Sequence, residues 1–361
     1  MIEVIKYDPS EEDLVKVQMI RDFLNEENIP YIEDDNVFGL FHVNDKTTQI
    51  RYVDSYYHPM DNTKRFGESH KGIPNNYFID ISHENHRNGI RTIWIFDFEM
   101  DQTNEPYTYE GQLMEGFHRQ WEVIKNTIRT ACGRIHYRFY ARDCEVREVP
   151  NSELRPFLNT NCFYGYRAAN VNLGLYLKKD KNGLKKGTLL FVYTFGCNFY
   201  GNKNHQEDPK VEVIRASTRL ECQVIGGISK SIKHFCENYP TLLIGASKRE
   251  IEVDKIIFYV DASHNDSRGM TNSNSSFKFV SWEGCGFMNR FCCDMDENGL
   301  KGRKGEIFMR RPMFHKQIMK AIGEKKIISI ANAGTIVFEM SRKEFMENLA
   351  KGTASVGDMH V

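Results

Sequence analysis

The chain has 361 residues, 40% of them hydrophobic, 12% aromatic and 27% charged, with only 10 prolines. That length suits two domains of about 100–200 residues each, and the composition excludes a disordered chain. The formal net charge of −1 hides a division: residues 1–111 carry 10 Lys/Arg against 22 Asp/Glu, and residues 112–361 carry 38 against 27. The basic surplus favours contact with nucleic-acid phosphates, whereas an acidic part avoids DNA unless its carboxylates hold a metal ion. No run approaches the roughly 18 consecutive apolar residues of a membrane span. The opening MIEVIKYDPSEED lacks the basic and then apolar pattern of a signal peptide, so a cytoplasmic protein without a membrane partner is expected. Nine irregularly spaced cysteines suit free thiols in a reducing compartment.

In chain order, Ser10 and its acidic followers precede Leu14, Val17, Ile20, Phe23 and Leu24 at helical spacing, which predicts an amphipathic helix. The β-branched and aromatic runs 36–43 and 48–57, parted by a polar Asn-Asp-Lys turn, predict a hairpin. A Gly/Asn/Pro-rich loop covers roughly 59–76. A polar helix over 79–88, ended by Gly89, leads into a buried strand over 90–98, the crossover of an α/β sheet. Residues 112–130 read as a helix with Trp121, Ile124 and Ile128 on one face, and 135–149 as a strand leading out of the first domain at Pro150. Next come a short capped helix, a hairpin of 171–177 with 187–196 around the basic loop KKDKNGLKK, and a strand, glycine turn and helix ending near Tyr239. Strands over 255–264 and 275–282, a basic stretch and the late apolar run ISIANAGTIVFEM follow. The expected domains are 1–149 and 150–290, with a basic extension over 291–361.

Four landmarks stand in a telling order: SYYHP with His58; NGIRTIWIFDFE over 88–99; FYARDCEVREV over 139–149; and FYGYRAANVNLGLYL with VIRAS and CQVIGGISKSIKHF. This order resembles a phage and bacterial family of homing-endonuclease-like proteins, whose N-terminal domain is similar to the very-short-patch repair endonuclease. The resemblance implies an α/β (α+β) chain, a restriction-endonuclease-like mixed sheet followed by an acetyltransferase-like (GNAT) mixed sheet. It implies a phage-type DNA-binding protein of the host-cell cytoplasm, with metal-dependent phosphodiester hydrolysis as the reaction class. Such nucleases set a divalent cation, here Mg²⁺, between a strand Asp and the scissile phosphate, while a nearby His or Glu moves protons. Leu40, Arg51 and Phe78 stand where the family carries its metal Asp, second-strand acid and helix His. The implied catalytic set therefore falls on Asp54, His58, Asp97 and Glu99, with Asp54 and Asp97 as metal ligands.

The GNAT-like segment QVIGGISK implies that Gln223, Gly226, Gly227 and Ser229 hold the pyrophosphate of acetyl-CoA on backbone N–H groups. The same turn with Ser229, Lys230 and Lys233 suits a DNA phosphate equally. Asp261, His264 and Asp266 end the following strand and would face that cleft, with His264 as a proton-transfer group. Cations expected on DNA are Arg167, Lys178, Lys179, Lys185, Lys186, Lys230, Lys301, Arg303, Lys304, Arg310 and Arg311. His83 and His86, spaced i, i+3, read either as a metal-holding helix face or as a solvated one. Two further readings are an acyl-CoA-dependent transferase with a dead nuclease domain, and a non-enzymatic binder whose acidic N-terminal domain engages a basic host or phage protein.

Overall fold

The computed structural model describes residues 8–54, 76–100, 107–109, 112–114, 120–197, 210–244, 248–265, 276–283, 289–292, 295–296, 299–300, 307–308, 327–330 and 332–353. The protein is mixed α/β, with six α-helices and several mixed sheets among these residues. Its contacts form two units: one of Met1–Ile128, Asp261–His264 and Glu283–Thr335, the other of Arg129–Val260, Asn265–Trp282 and Ile336–Val361.

In the first unit Ser10 and Asp13 form a capping box that starts Glu11–Glu26 (α1), and Val17, Ile20, Phe23 and Leu24 face the core as their spacing predicts. Tyr31–Glu33 (β1), Leu40–Val43 (β2) and Thr48–Val53 (β3) form an antiparallel meander, so the expected hairpin is present with Val43 opposite Thr48. Gly39 enters β2 at φ +67°, and a Cβ there would lie 2.7 Å from the Tyr52 Cβ, so only glycine fits. Tyr77–Arg87 (α2) then crosses over to Arg91–Phe96 (β4), which pairs parallel to β3. All six β4 residues are buried, as a strand covered on both faces requires. The polar side of α2 is satisfied internally: Trp94 Nε1 donates to Ser82 Oγ at 2.9 Å, and Asn85 Nδ2 donates to Gln49 and Thr92, both at 2.8 Å. A 3₁₀ turn, Asp97–Met100, follows β4. Residues 112–130 depart from expectation: Tyr107–Tyr109 (β5) pairs with Gln112–Met114 (β6), and the helix Gln120–Ala131 (α3) begins only at Gln120.

In the second unit the single strand expected over 135–149 is two. Tyr137–Tyr140 (β7) and Cys144–Glu148 (β8) are broken by a 3₁₀ turn at Ala141–Asp143. Asn151–Asn161 (α4), Val171–Leu177 (β9), Leu189–Cys197 (β10), Val211–Thr218 (β11) and Cys222–Ile225 (β12) follow. The chain continues through Gly227–Asn238 (α5), Thr241–Ile244 (β13), Arg249–Glu252 (β14), Lys255–Asp261 (β15) and Lys278–Glu283 (β16). The late strands Asn289–Cys292 (β17), Met295–Asp296 (β18), Gly299–Leu300 (β19), Ile307–Phe308 (β20) and Ile327–Ile330 (β21) belong to the first unit. Thr335–Ser341 (β22) and Arg342–Ala350 (α6) complete the second. Its main sheet runs β16-β22-β15-β11-β10-β9-β8, while β7 pairs parallel with β12 apart from it. The Phe235 ring of α5 stacks on Phe195 of β10 with centroids 3.7 Å apart, which fastens the helix to the sheet.

Six cysteines among the described residues are free thiols. Burial pushes Cys144, Cys197 and Cys222 up to about 11 and Cys236 to about 12, so none of these four supplies a thiolate near neutral pH. Among the described residues no helix is long and apolar enough to cross a membrane.

Candidate functional site

Acidic residues collect where β3 and β4 end. Val53 and Phe96 are register partners on these parallel strands, so Asp54 and Asp97 leave the sheet side by side, both at most 1% exposed. Asp13 reaches the same end from α1: its Oδ1 accepts from the Tyr52 hydroxyl at 2.7 Å and its Oδ2 from Ser10 Oγ at 2.6 Å. The Asp54 side chain lies within hydrogen-bonding reach of Asp13. Burial works to raise the Asp13 pKa, but the hydrogen bonds from Asp54, Ser10 and Tyr52 outweigh it and hold the carboxylate below its ordinary range.

One turn further, Glu99 Oε2 accepts from the Phe96 N–H at 2.9 Å and lies 3.2 Å from His264 Nε2. His264 Nδ1 is 3.5 Å from Asp261 Oδ2, and Asp261 Oδ1 accepts from the Ser263 N–H at 2.8 Å. The segment carrying them is tied down by its backbone: Trp94 N–H donates to Ser263 O at 2.8 Å, Ala262 N–H to Gly334 O at 3.0 Å, and Ala333 N–H to Ser263 Oγ at 3.2 Å. Burial alone would lower the His264 pKa, but the charge of Glu99 and the hydrogen bonds to Asp261 and Glu99 carry it up to about 10. Burial pushes the Glu99 carboxyl upward, and the imidazolium opposes that push. The His264 imidazole is thus held between the side chains of Glu99 and Asp261, which favour its protonated form.

Glu99 and Asp261 face the His264 imidazole, and Asp54 and Asp97, to which the resemblance gives the Mg²⁺ ion, stand beside each other at the strand ends. Among the described residues no group of three or more His, Cys, Asp and Glu side chains is set to hold a metal ion. Of the positions where the resemblance implied acidic or histidine residues, Leu40 and Phe78 are buried, Phe78 against Trp94 and Phe96, and the half-buried Arg51 is the cross-strand partner of Leu40. Sequence reasoning grouped Asp54, Asp97 and Glu99 with His58 and set Asp261 and His264 together elsewhere, but it missed Asp13 and Tyr52. It expected His264 beside the Gly226–Gly227 turn; the residue instead pairs with Glu99 and Asp261. His58 and Asp266 lie outside the described residues.

The glycine turn starts α5. Gly226 is the left-handed N-cap of α5 at φ +75°, and a Cβ there would sit 3.6 Å from the Ala141 Cβ. A Cβ on Gly227 would meet Leu175 and Val224 side-chain atoms at 3.3 Å, so these glycines serve the turn and the close approach of helix to strand. Gln223 sits in β12 and Ser229 in the first turn of α5, and Gly226 and Ser229 both line a groove along that helix.

What the second unit assembles is a cationic surface with exposed aromatic rings. The β9–β10 loop carries Lys178, Lys179, Lys185 and Lys186, all exposed as expected. It is bound to the β7–β8 corner, since Lys178 Nζ donates to Arg142 O at 3.0 Å and Asn182 Nδ2 to Arg138 O at 3.1 Å. That corner adds exposed Arg138 and Arg142 and two exposed tyrosines, Tyr137 and Tyr140. The Arg142 guanidinium lies 4.8 Å and the Lys181 ammonium 5.7 Å from the Tyr140 ring centroid. Lys230 joins from α5, donating to Ala141 O at 2.9 Å and Cys144 O at 2.5 Å. Burial, and then the charge of Lys178, lowers its pKa. Two acids are neutralised locally, Asp143 by Lys181 at 2.6 Å and Asp180 by Lys185 at 2.9 Å. Beside the corner a groove of about 500 Å³ runs along α5, lined by Ser229, Lys230, Lys233, His234, Phe345 and Leu349 among others.

Arg138, Arg142, Tyr137 and Tyr140 escaped sequence reasoning because their stretch read as a strand leaving the other domain. The alternation Arg138, buried Phe139, Tyr140 was the available signal. Arg167 lies in the segment between α4 and β9, half-buried, while Lys301, Arg303, Lys304, Arg310 and Arg311 lie outside the described residues. Comparison with protein-family models and with curated proteins finds no match to this chain.

Proposed function

We propose that the chain is a DNA-binding protein that grips phosphates through the second unit, and that its nuclease-like first unit does not cleave. The observation that carries this reading is the convergence of Arg138, Arg142, Lys178 and Lys230 at the β7–β8 corner beside the exposed Tyr140. Cations from three separate elements gain little by crowding together in a free protein, because they repel one another. The same arrangement neutralises consecutive phosphates and releases their counterions. The engagement of Glu99 supports the absence of cleavage, because that carboxyl group already faces the His264 imidazole.

The test is a salt titration of binding to a duplex oligonucleotide, beside incubation with supercoiled DNA in Mg²⁺, Mn²⁺ or EDTA. With about four phosphates neutralised, log K is expected to fall with log salt at a slope of roughly −3 to −4, and no nicking is expected in any of the three. The triple variant Arg138→Ala, Arg142→Ala, Lys178→Ala is expected to flatten that slope by about two to three units. Salt-independent binding, or nicking that EDTA abolishes, would sink the proposal.

A further inference from the structure

Resting on the DNA-binding reading, we infer that the strand held on this face is single, with a base stacked on Tyr140. The residue is 42% exposed, at the end of a strand whose Phe139, on the opposite side, is fully buried. A tyrosine kept in solvent on a charged surface neither fills a core nor hides apolar area, so packing does not account for it. Arg142 and Lys181 flank the Tyr140 ring and steady it without covering it.

The faces of bases in a duplex are covered by their neighbours, and a ring mounted rigidly on a strand reaches them only when the strand is unpaired. Cations at the same corner then track the backbone while the ring takes a base, the combination that binds single strands with little regard to sequence. The adjoining groove argues the same way. Its volume of about 500 Å³ admits a nucleotide or two, and its lining sets Lys230, Lys233 and Ser229 for phosphate against the apolar Phe345 and Leu349. A duplex about 20 Å across does not enter it.

The experiment compares the full-length protein on a fluorescent single strand and on the duplex of the same sequence, by anisotropy at one salt concentration. The single strand is expected to bind at least tenfold more tightly. Tyr140→Ala is expected to weaken it by about five- to a hundredfold and to weaken duplex binding less, so that the preference for the single strand narrows. Tyr140→Phe, which keeps the ring, is expected to retain affinity. Photocrosslinking of the unmutated protein to a 5-iodouracil single strand gives a second readout that no folding defect disturbs, and Tyr140 should carry the adduct. Equal affinity for both forms, a silent alanine variant, or adducts elsewhere only would overturn the inference and leave the DNA-binding reading intact. Absence of salt-dependent binding to either form would overturn both.

Discussion

Replacing His264 with alanine is expected to lower the unfolding free energy by about 3–5 kcal/mol, because it leaves two buried carboxylates without the cation between them. Glu99 is 1% exposed and Asp261 9%, so neither has water to replace the imidazolium. Urea unfolding followed by tryptophan fluorescence measures the loss, since Trp94 and Trp121 lie in the first unit. The pH dependence follows from the direction of the shift. The folded-state pKa of His264 is raised from 6.5 to about 10, so its stabilisation is complete below pH 6.5 and is lost as the pH climbs through about 10. The gap between parent and variant should therefore be widest at about pH 6 and should narrow by about pH 10. Equal urea midpoints for the two proteins at the lower pH would mean that His264 carries no charge in the folded chain.

The second large effect is expected at Phe235. This ring is fully buried, stacks on Phe195 at 3.7 Å and on Tyr239 at 5.5 Å, and so connects α5 to both β10 and the turn that leaves the helix. Phe235→Ala removes that stack and opens a cavity, a change that costs about 3–5 kcal/mol in well-packed cores. The helix it would loosen carries Lys230 and one wall of the groove. Calorimetry should record the loss as a lowered transition, and single-stranded DNA affinity should fall along with it. Phe235→Leu, which refills most of the volume, is expected to recover at least half of both. A midpoint unchanged by the alanine substitution would show that α5 is held to its sheet by other contacts.

What was legible in the sequence was local. The capping box of α1, the β2–β3 hairpin, the α2–β4 crossover and the β9–β10 hairpin are each carried by periodicity and turn chemistry within a few residues. Two misread stretches share a cause. Residues 112–130 kept helical spacing only from Gln120 onward, and β7 is defined by a parallel partner, Cys222–Ile225, more than 80 positions away. The candidate sites divide in the same manner. Lys178 and Lys185 were readable from their own loop, but the union of that loop with Arg138, Arg142 and the tyrosines exists only after β7 and β8 turn apart at Ala141–Asp143. Asp97 and Glu99 were readable as the end of a buried strand. That Glu99 meets an imidazolium, and so is spoken for, was not readable, because the two residues stand 165 positions apart.

That separation has a temporal meaning during synthesis. At roughly 5–20 residues per second, Glu99 emerges about 8–33 s before His264 reaches the growing end of the chain. Through that interval the nascent first unit has a carboxyl group with no imidazolium to meet, so its strand-end interior cannot close in the charged form seen in the finished protein. The intervening 129–260 stretch, which supplies β8 to β11 of the second sheet, is made entirely within the same delay or just after it begins. The unit that starts the chain is therefore completed late, since it also takes in Asp261–His264 and Glu283–Thr335.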